Sequence, residues 1–406
     1  MQLSALYLNR FKAMSFFFLC VMALASEFSV SLGGLSYSLF FLSGIPLIYA
    51  SFMRENLNFS KSQIFLSLTI LTLLLSTLYH FDSYQAPFKY MRKLRYLFFA
   101  VGGVFILRHL VQNYMTSEFK RFLPIKILFL SVNLAVIYAL ICRYLNWDFK
   151  HGVAMPNDGR LHSFTGSIGF SYELPIWCLC IWAMYLSREA FTKEFVKKWI
   201  IPTLILSTIG VLFSGTRGGV LAFILAFPFL FLFKYKKLFF TFMALSLVSV
   251  MTLLVLIQYQ LVPSSRLLMK FNNISNRIRL AKIYSSIEAF KDKPIFGHGL
   301  LSMKEKYKTL SPRDVEDDPL YDTHNTYLQV LTDGGLVAFI PFIFFLFFWG
   351  REILMRRDLI SKIVFASFIA FLIENLYHTQ FVSGVNTAMN LCLLYMITQL
   401  PLIEEV

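Results

Sequence analysis

The stretch from Asp322 to Gly350, DTHNTYLQVLTDGGLVAFIPFIFFLFFWG, opens on polar residues and then runs without a charge from Gly334 to its end. A run of that kind is long enough to cross the hydrocarbon core of a bilayer as a helix, because only a helix satisfies its own backbone there. Its polar head, with His324 and Asn325, then belongs at an interface with water. Working outward in both directions, similar runs recur from one end of the chain to the other. We read about twelve of them, each roughly 17 to 25 residues long. They centre near Leu19, Ile45, Ile70, Val101, Val132, Cys180, Ile205, Ile224, Val248, Ile343, Ile369 and Leu393. The expected fold is therefore all-α: a polytopic integral membrane protein, one transmembrane domain over residues 1–406.

Composition points the same way. Of 406 residues 57% are apolar and 15% charged, whereas a soluble domain is nearer half apolar and a quarter charged. Disorder, a collagen-like fibre and a small disulfide scaffold are excluded. The net charge of +15 suggests a nucleic-acid partner only until the charges are located, since most Lys and Arg lie in short clusters between apolar runs. Cys20, Cys142, Cys178, Cys180 and Cys392 all lie inside such runs. Neither a disulfide framework nor a metal site is expected from them.

An even number of spans puts both termini on one side. The positive-inside rule makes that side cytoplasmic, because Arg10, Lys12, Arg54, Lys61, Lys120, Arg121, Lys197, Lys198, Lys236, Lys237, Arg356 and Arg357 gather at one set of turns. The opposite face has short turns with two exceptions: the cluster Lys89, Arg92, Lys93 and Arg95, and a long hydrophilic loop, residues 263–323, between the ninth and tenth spans. Ala23-Leu24-Ala25 follows a basic start and an apolar run, as at a signal-peptidase site. We read this segment as the first span, not cleaved; a mature chain beginning at Ser26 would leave an odd number of spans.

Three places could carry chemistry. Ser214-Gly215-Thr216-Arg217-Gly218-Gly219 lies between two apolar runs, where an arginine is costly unless it sits at the interface or in a polar cavity. Its planar donor fork suits a phosphate, and glycines let a backbone approach a ligand; a turn with a snorkelling arginine is the plainer reading. In the long loop, apolar positions 280, 283, 287 and 290 recur at helical spacing up to Pro294, which predicts an amphipathic helix. Arg279 at its start would be held near the bilayer surface, with a solvated basic face as the alternative. The third place is His324-Asn325, since histidine suits proton transfer near neutrality. The acidic run Asp314 to Asp318 reads as a solvated loop rather than a metal site. Glu374, inside the eleventh apolar run, requires a partner.

Together these sites resemble the bacterial O-antigen ligase family, whose wider superfamily includes O-antigen polymerases. The family pattern is a histidine, an amide or serine, nine residues, then glycine. His324 and Asn325 match, Thr326 to Gly334 fill the gap and Gly335 follows. Ala338 departs mildly at the next small position. Arg279 with Ile283 resembles the family's loop arginine followed four residues later by leucine, with Arg277 as the competing choice. Arg217 resembles the family's arginine at the periplasmic end of a helix. Asp158-Gly159-Arg160 and Arg95 match more loosely.

The resemblance implies a membrane glycosyltransferase of lipopolysaccharide biosynthesis in the bacterial inner membrane. The donor would be an O-antigen glycan on undecaprenyl diphosphate, and the acceptor a sugar hydroxyl of lipid A-core at the periplasmic face. It implies His324 as base and Arg217 and Arg279 on the diphosphate. Arg95, Arg160, Asn325 and Arg277 would help to bind substrate, with membrane lipids as further partners, no cofactor and no metal. A polymerase using the same donor is the nearest alternative, and a transporter or flippase of lipid-linked glycan the next.

Overall fold

The structure is a computed structural model, and it describes residues 5–55, 58–80, 87–150, 152–154, 161–164, 166–258, 274–301, 323–356, 359–379, 381, 393–396 and 398. Helices dominate. In chain order they are α1 (Ala5–Ala25), α2 (Val30–Glu55), α3 (Lys61–Tyr79), α4 (Pro87–Asn113), α5 (Glu118–Leu145), α6 (Gly166–Leu186), α7 (Lys193–Phe213), α8 (Arg217–Ala226), α9 (Lys236–Gln258), α10 (Ile274–Asp292), α11 (Thr326–Leu354), α12 (Leu359–Ile363) and α13 (Phe365–Glu374). The strands among the described residues are two-residue pieces, Trp147–Asp148 paired antiparallel with Val153–Ala154.

Among the described residues seven helices are long and apolar enough to cross a membrane: Leu6–Ala25, Ser31–Met53, Lys61–Tyr79, Leu94–Asn113, Glu118–Leu145, Lys193–Phe213 and Thr326–Leu354. Shorter apolar helices cover Phe170–Leu186 and Gly218–Phe231. Every one of the twelve run centres named above falls within helical residues.

The bundle packs α11 along α3, α1 along α2, α2 along α4, and α6 against α7, α8 and α13. Aromatic rings fill the centre. Trp349 stacks on Phe345, meets Phe368 and Tyr395 edge-on, and donates from its indole N–H to Thr398 Oγ1 at 2.7 Å. Large apolar side chains such as Phe17, Leu35, Phe52, Leu75, Phe213 and Phe347 are instead exposed. An apolar outer surface around a packed core is what lipid as solvent selects.

At one end of the bundle the Glu352 carboxylate of α11 accepts from the Ser62 backbone N–H at 2.9 Å and from its hydroxyl at 2.5 Å. Ser62 lies in the first turn of α3, where unpaired N–H groups favour an anion. The opposite end collects the α1–α2 turn, the last turns of α3, α5 and α13, and the first turns of α6, α8 and α11. His324 lies at this end.

Glu27 lies in the α1–α2 turn and is fully buried. No hydrogen-bond donor among the described residues reaches either carboxylate oxygen. Burial pushes its carboxyl up to about 7, because the charged form is the one that loses hydration. The folded state therefore holds this proton to a higher pH than the unfolded chain. The resulting stability is present in acid and is lost as pH rises from about 4.5 to about 7. Glu27→Gln is expected to raise the melting temperature of the solubilised protein at pH 8, by up to ~3 kcal/mol of stability, with little change at pH 4. Equal gains at both pH values would show that the carboxyl does not titrate on unfolding.

Helix α10 turns a face of small and polar residues, Ala281, Lys282, Ser285, Ser286 and Ala289, into the protein. Leu280, Ile283 and Ile287 are turned outward, and Phe290 is half-buried. The apolar stripe read from the sequence thus faces away from the protein, as a stripe resting on lipid must.

Candidate active site

His324 precedes α11 with a positive φ of 50°, a backbone region that a histidine enters at some cost. Its neighbours hold it there. Thr323 Oγ1 donates to the Asn325 carbonyl at 2.5 Å and accepts from the Asn325 N–H at 3.2 Å. The Thr323 N–H is taken by Gln329 Oε1 at 3.0 Å. Asn325 is the helix cap: its side-chain oxygen accepts from the Leu328 N–H at 3.0 Å, and its amide donates to the Leu376 carbonyl at 3.3 Å. Thr326 N–H donates to the Asn375 carbonyl at 2.9 Å, and its hydroxyl to the His378 carbonyl at 3.1 Å. The histidine turn is therefore locked onto the chain that follows α13.

A second junction explains the glycine of the motif. At Gly335, φ 60° and ψ −160° break α11. In an unbroken helix the N–H groups of 336 and 337 would bond the carbonyls of 332 and 333. Here the carbonyls of Thr332 and Asp333 accept from His298 N–H at 2.9 Å and Gly299 N–H at 2.8 Å. In turn Leu336 and Val337 N–H donate to the carbonyls of Pro294 and Ile295 at 2.9 and 3.2 Å. Two helical bonds are replaced by four across the junction, so the segment 294–299 is part of the α11 scaffold. The last turn of α3 completes it: Ser76 donates to the Asp333 carbonyl at 2.7 Å, and His80 Nε2 lies 2.8 Å from the Gly297 carbonyl.

Beyond His324 lie two rings that reading the sequence did not single out. The His378 ring is 6.3 Å from the His324 ring, centroid to centroid, at 30°. Its face stacks on Tyr172 of α6 at 4.7 Å and 13°. Tyr172 in turn rests on the first turn of α8, where a Cβ at Gly218 would lie 2.9 Å from its ring. A Cβ at Gly219 would run into the Ser171 carbonyl. These two glycines therefore face α6; the expectation that they admit a ligand gives way to close helix packing.

Arg217 is the first residue of α8, and its side chain lies outside the described residues. The helix end it occupies offers unpaired N–H groups to an anion. Thr216 before it is buried, and among the described residues nothing hydrogen-bonds its hydroxyl. The Leu161 N–H donates to the Ser214 carbonyl at 3.3 Å, bringing the chain that follows Arg160 against this turn; Arg160 itself lies outside the described residues.

The other arginines are placed as follows. Arg279 is half-buried on α10, on the same face as the buried Lys282 one turn later, a cation that the sequence reading passed over. The side chain of Arg277 lies outside the described residues, as do Asp314 to Asp318. Arg95 is exposed near the head of α4, donating to Tyr96 Oη at 2.7 Å with its guanidinium over the same ring. Glu374 is buried at the end of α13, next to the Asn375 carbonyl that holds Thr326.

Residues 202–343 match the family model described as O-antigen ligase. This part of the chain is similar to the O-antigen ligase family. The matched region contains Arg217, Arg277, Arg279, His324, Asn325 and Gly335, whereas Arg95, Arg160, Tyr172 and His378 lie outside it. No curated protein matches this chain. The match supports a general assignment: an O-antigen ligase or polymerase type of membrane glycosyltransferase, with lipid-linked glycan and lipid as partners. In this chain the histidine turn and the head of α8 are joined by one run of contacts, His324 to His378 to Tyr172 to Gly218.

Proposed function

We propose that the protein is the ligase itself. It moves an O-antigen glycan from undecaprenyl diphosphate to a sugar hydroxyl of lipid A-core at the periplasmic face of the inner membrane. The chain crosses the bilayer about twelve times with both termini in the cytoplasm, and the loop 263–323 stands in the periplasm. The observation that carries this reading is the contact run just described, which sets one imidazole near a helix N-terminus headed by an arginine.

The chemistry follows from the donor. A diphosphate is already a competent leaving group, so the pair of carboxylates used by most glycosidases is not needed. The bond from the anomeric carbon to the phosphate oxygen breaks and its electron pair leaves with the diphosphate. Arg217 and Arg279 stabilise that charge, helped by the N–H groups at the head of α8. The acceptor oxygen forms the new bond while His324 takes its proton. Arg95, Arg160 and Arg277 bind substrate more remotely, and Asn325 acts by fixing the histidine turn. No metal enters the scheme, and a single displacement inverts the anomeric carbon.

Purified protein given lipid-linked donor and lipid A-core should yield the joined product with inverted linkage. In a deletion strain, polymer should accumulate on the carrier. If lipid A-core instead carried single repeat units, the chain would be the polymerase. Arg217→Ala should lower turnover by ~10²- to 10³-fold, the scale for losing one oxyanion donor. Arg217→Lys should recover only part, because the charge returns without the planar fork. Wild-type turnover in Arg217→Ala would take this arginine off the diphosphate.

A further inference from the structure

The backbone of His378 is fully engaged: its N–H donates to the Glu374 carbonyl at 2.9 Å and its carbonyl accepts from the Thr326 hydroxyl at 3.1 Å. One ring face is covered by Tyr172. The imidazole is thus held still beside His324, yet it is only half-buried. At 6.3 Å between centroids the nitrogens of the two rings are beyond direct hydrogen-bonding reach. One oxygen making two bonds of about 2.8 Å joins nitrogens up to about 5.6 Å apart, a reach that covers the two rings where their nitrogens face each other.

We infer that His378 is the proton relay of the site, receiving through one bridging oxygen the proton that His324 removes from the acceptor. This rests on the reading of His324 as the base. The acceptor O–H bond breaks with its proton passing to His324. His324 hands a proton to the bridging oxygen, which releases its own to His378, and His378 returns it to bulk water. No oxidant or further reactant is involved, and His324 is neutral again for the next acceptor.

The surroundings suit a transient cation on His378. The ring follows the C-terminal end of α13, where carbonyls favour positive charge, and it lies on the π face of Tyr172. Other titratable groups on the elements around it are Glu374 of α13, Glu173 of α6 and Arg217 at the head of α8. His378 touches no substrate in this scheme; it acts through His324.

Two variants of the full-length protein test the relay. His378→Phe keeps a ring on Tyr172 but carries no proton. It should lower kcat about ten-fold or more, with the acceptor KM within about two-fold of wild type. His378→Ala opens the position, and added imidazole should restore turnover in proportion to its concentration. Wild-type kcat in His378→Phe, or a loss in His378→Ala that imidazole leaves unmoved, would overturn the relay. If His324→Asn is inactive while His378→Phe turns over normally, the relay alone falls; if His324→Asn is active, the base assignment falls first.

Discussion

Replacing His324 by asparagine is expected to lower glycan transfer by ~10²- to 10⁴-fold, the usual contribution of a general base, while leaving the protein folded. Asparagine is the informative substitution because it tolerates positive φ better than most residues, and His324 sits at φ 50°. Thr323, Asn325 and Gln329 supply backbone and capping hydrogen bonds of the turn that the substitution leaves in place. Turnover with purified donor and acceptor, measured beside the melting temperature, separates lost chemistry from lost structure. An asparagine variant that melts like wild type and transfers like wild type would remove His324 from the mechanism. Alanine should lose as much activity, with a further small loss of stability from its strained backbone.

The second large effect is structural. Gly335→Ala should cost ~3 kcal/mol or more, because φ 60° with ψ −160° is a region that essentially only glycine occupies. A Cβ there would also overlap the Ile295 carbonyl and lie 2.7 Å from the Gly297 nitrogen. The clash is with backbone atoms of the docked segment, so no rotamer change relieves it. The four-bond junction between 294–299 and α11 should open, lowering the melting temperature and exposing the loop to protease. Gly334→Ala, one residue earlier and without a positive φ, would escape the backbone strain but bring its Cβ 2.2 Å from the Ala338 Cβ and 3.0 Å from Leu73, so it too should destabilise, through close packing alone. If Gly335→Ala melted like wild type, the junction would contribute little to the fold.

The apolar runs were legible because span length and uncharged composition are local properties that a bilayer imposes directly. The motif from His324 to Gly335 was legible as a spacing, but not what its glycine does. That depends on backbone bonds to His298 and Gly299, and such pairing leaves no mark on side-chain identity. Tyr172 and His378 were missed for a related reason. Each looks like an ordinary aromatic or lone histidine near an apolar run, and only the packing of α6 against α13 brings them to His324. Gly218 and Gly219 were read as room for a ligand, since sequence cannot distinguish that from room for a neighbouring helix. The stripe at 280, 283 and 287 was legible as a stripe, and the structure adds the direction in which it points.

The docking of residues 294–299 on α11 also bears on how such a protein can diversify. Amide and carbonyl groups present at nearly every position fasten this segment, so most side chains along it are free to drift. Two glycines with positive φ, Gly297 and Gly299, and the buried His298 between them, whose Nε2 lies 2.9 Å from the Ala289 carbonyl, carry most of the constraint. Under the proposed function, related chains could therefore alter the rest of the neighbouring loop to suit a new sugar without shifting the histidine, keeping one reaction while changing what it is performed on.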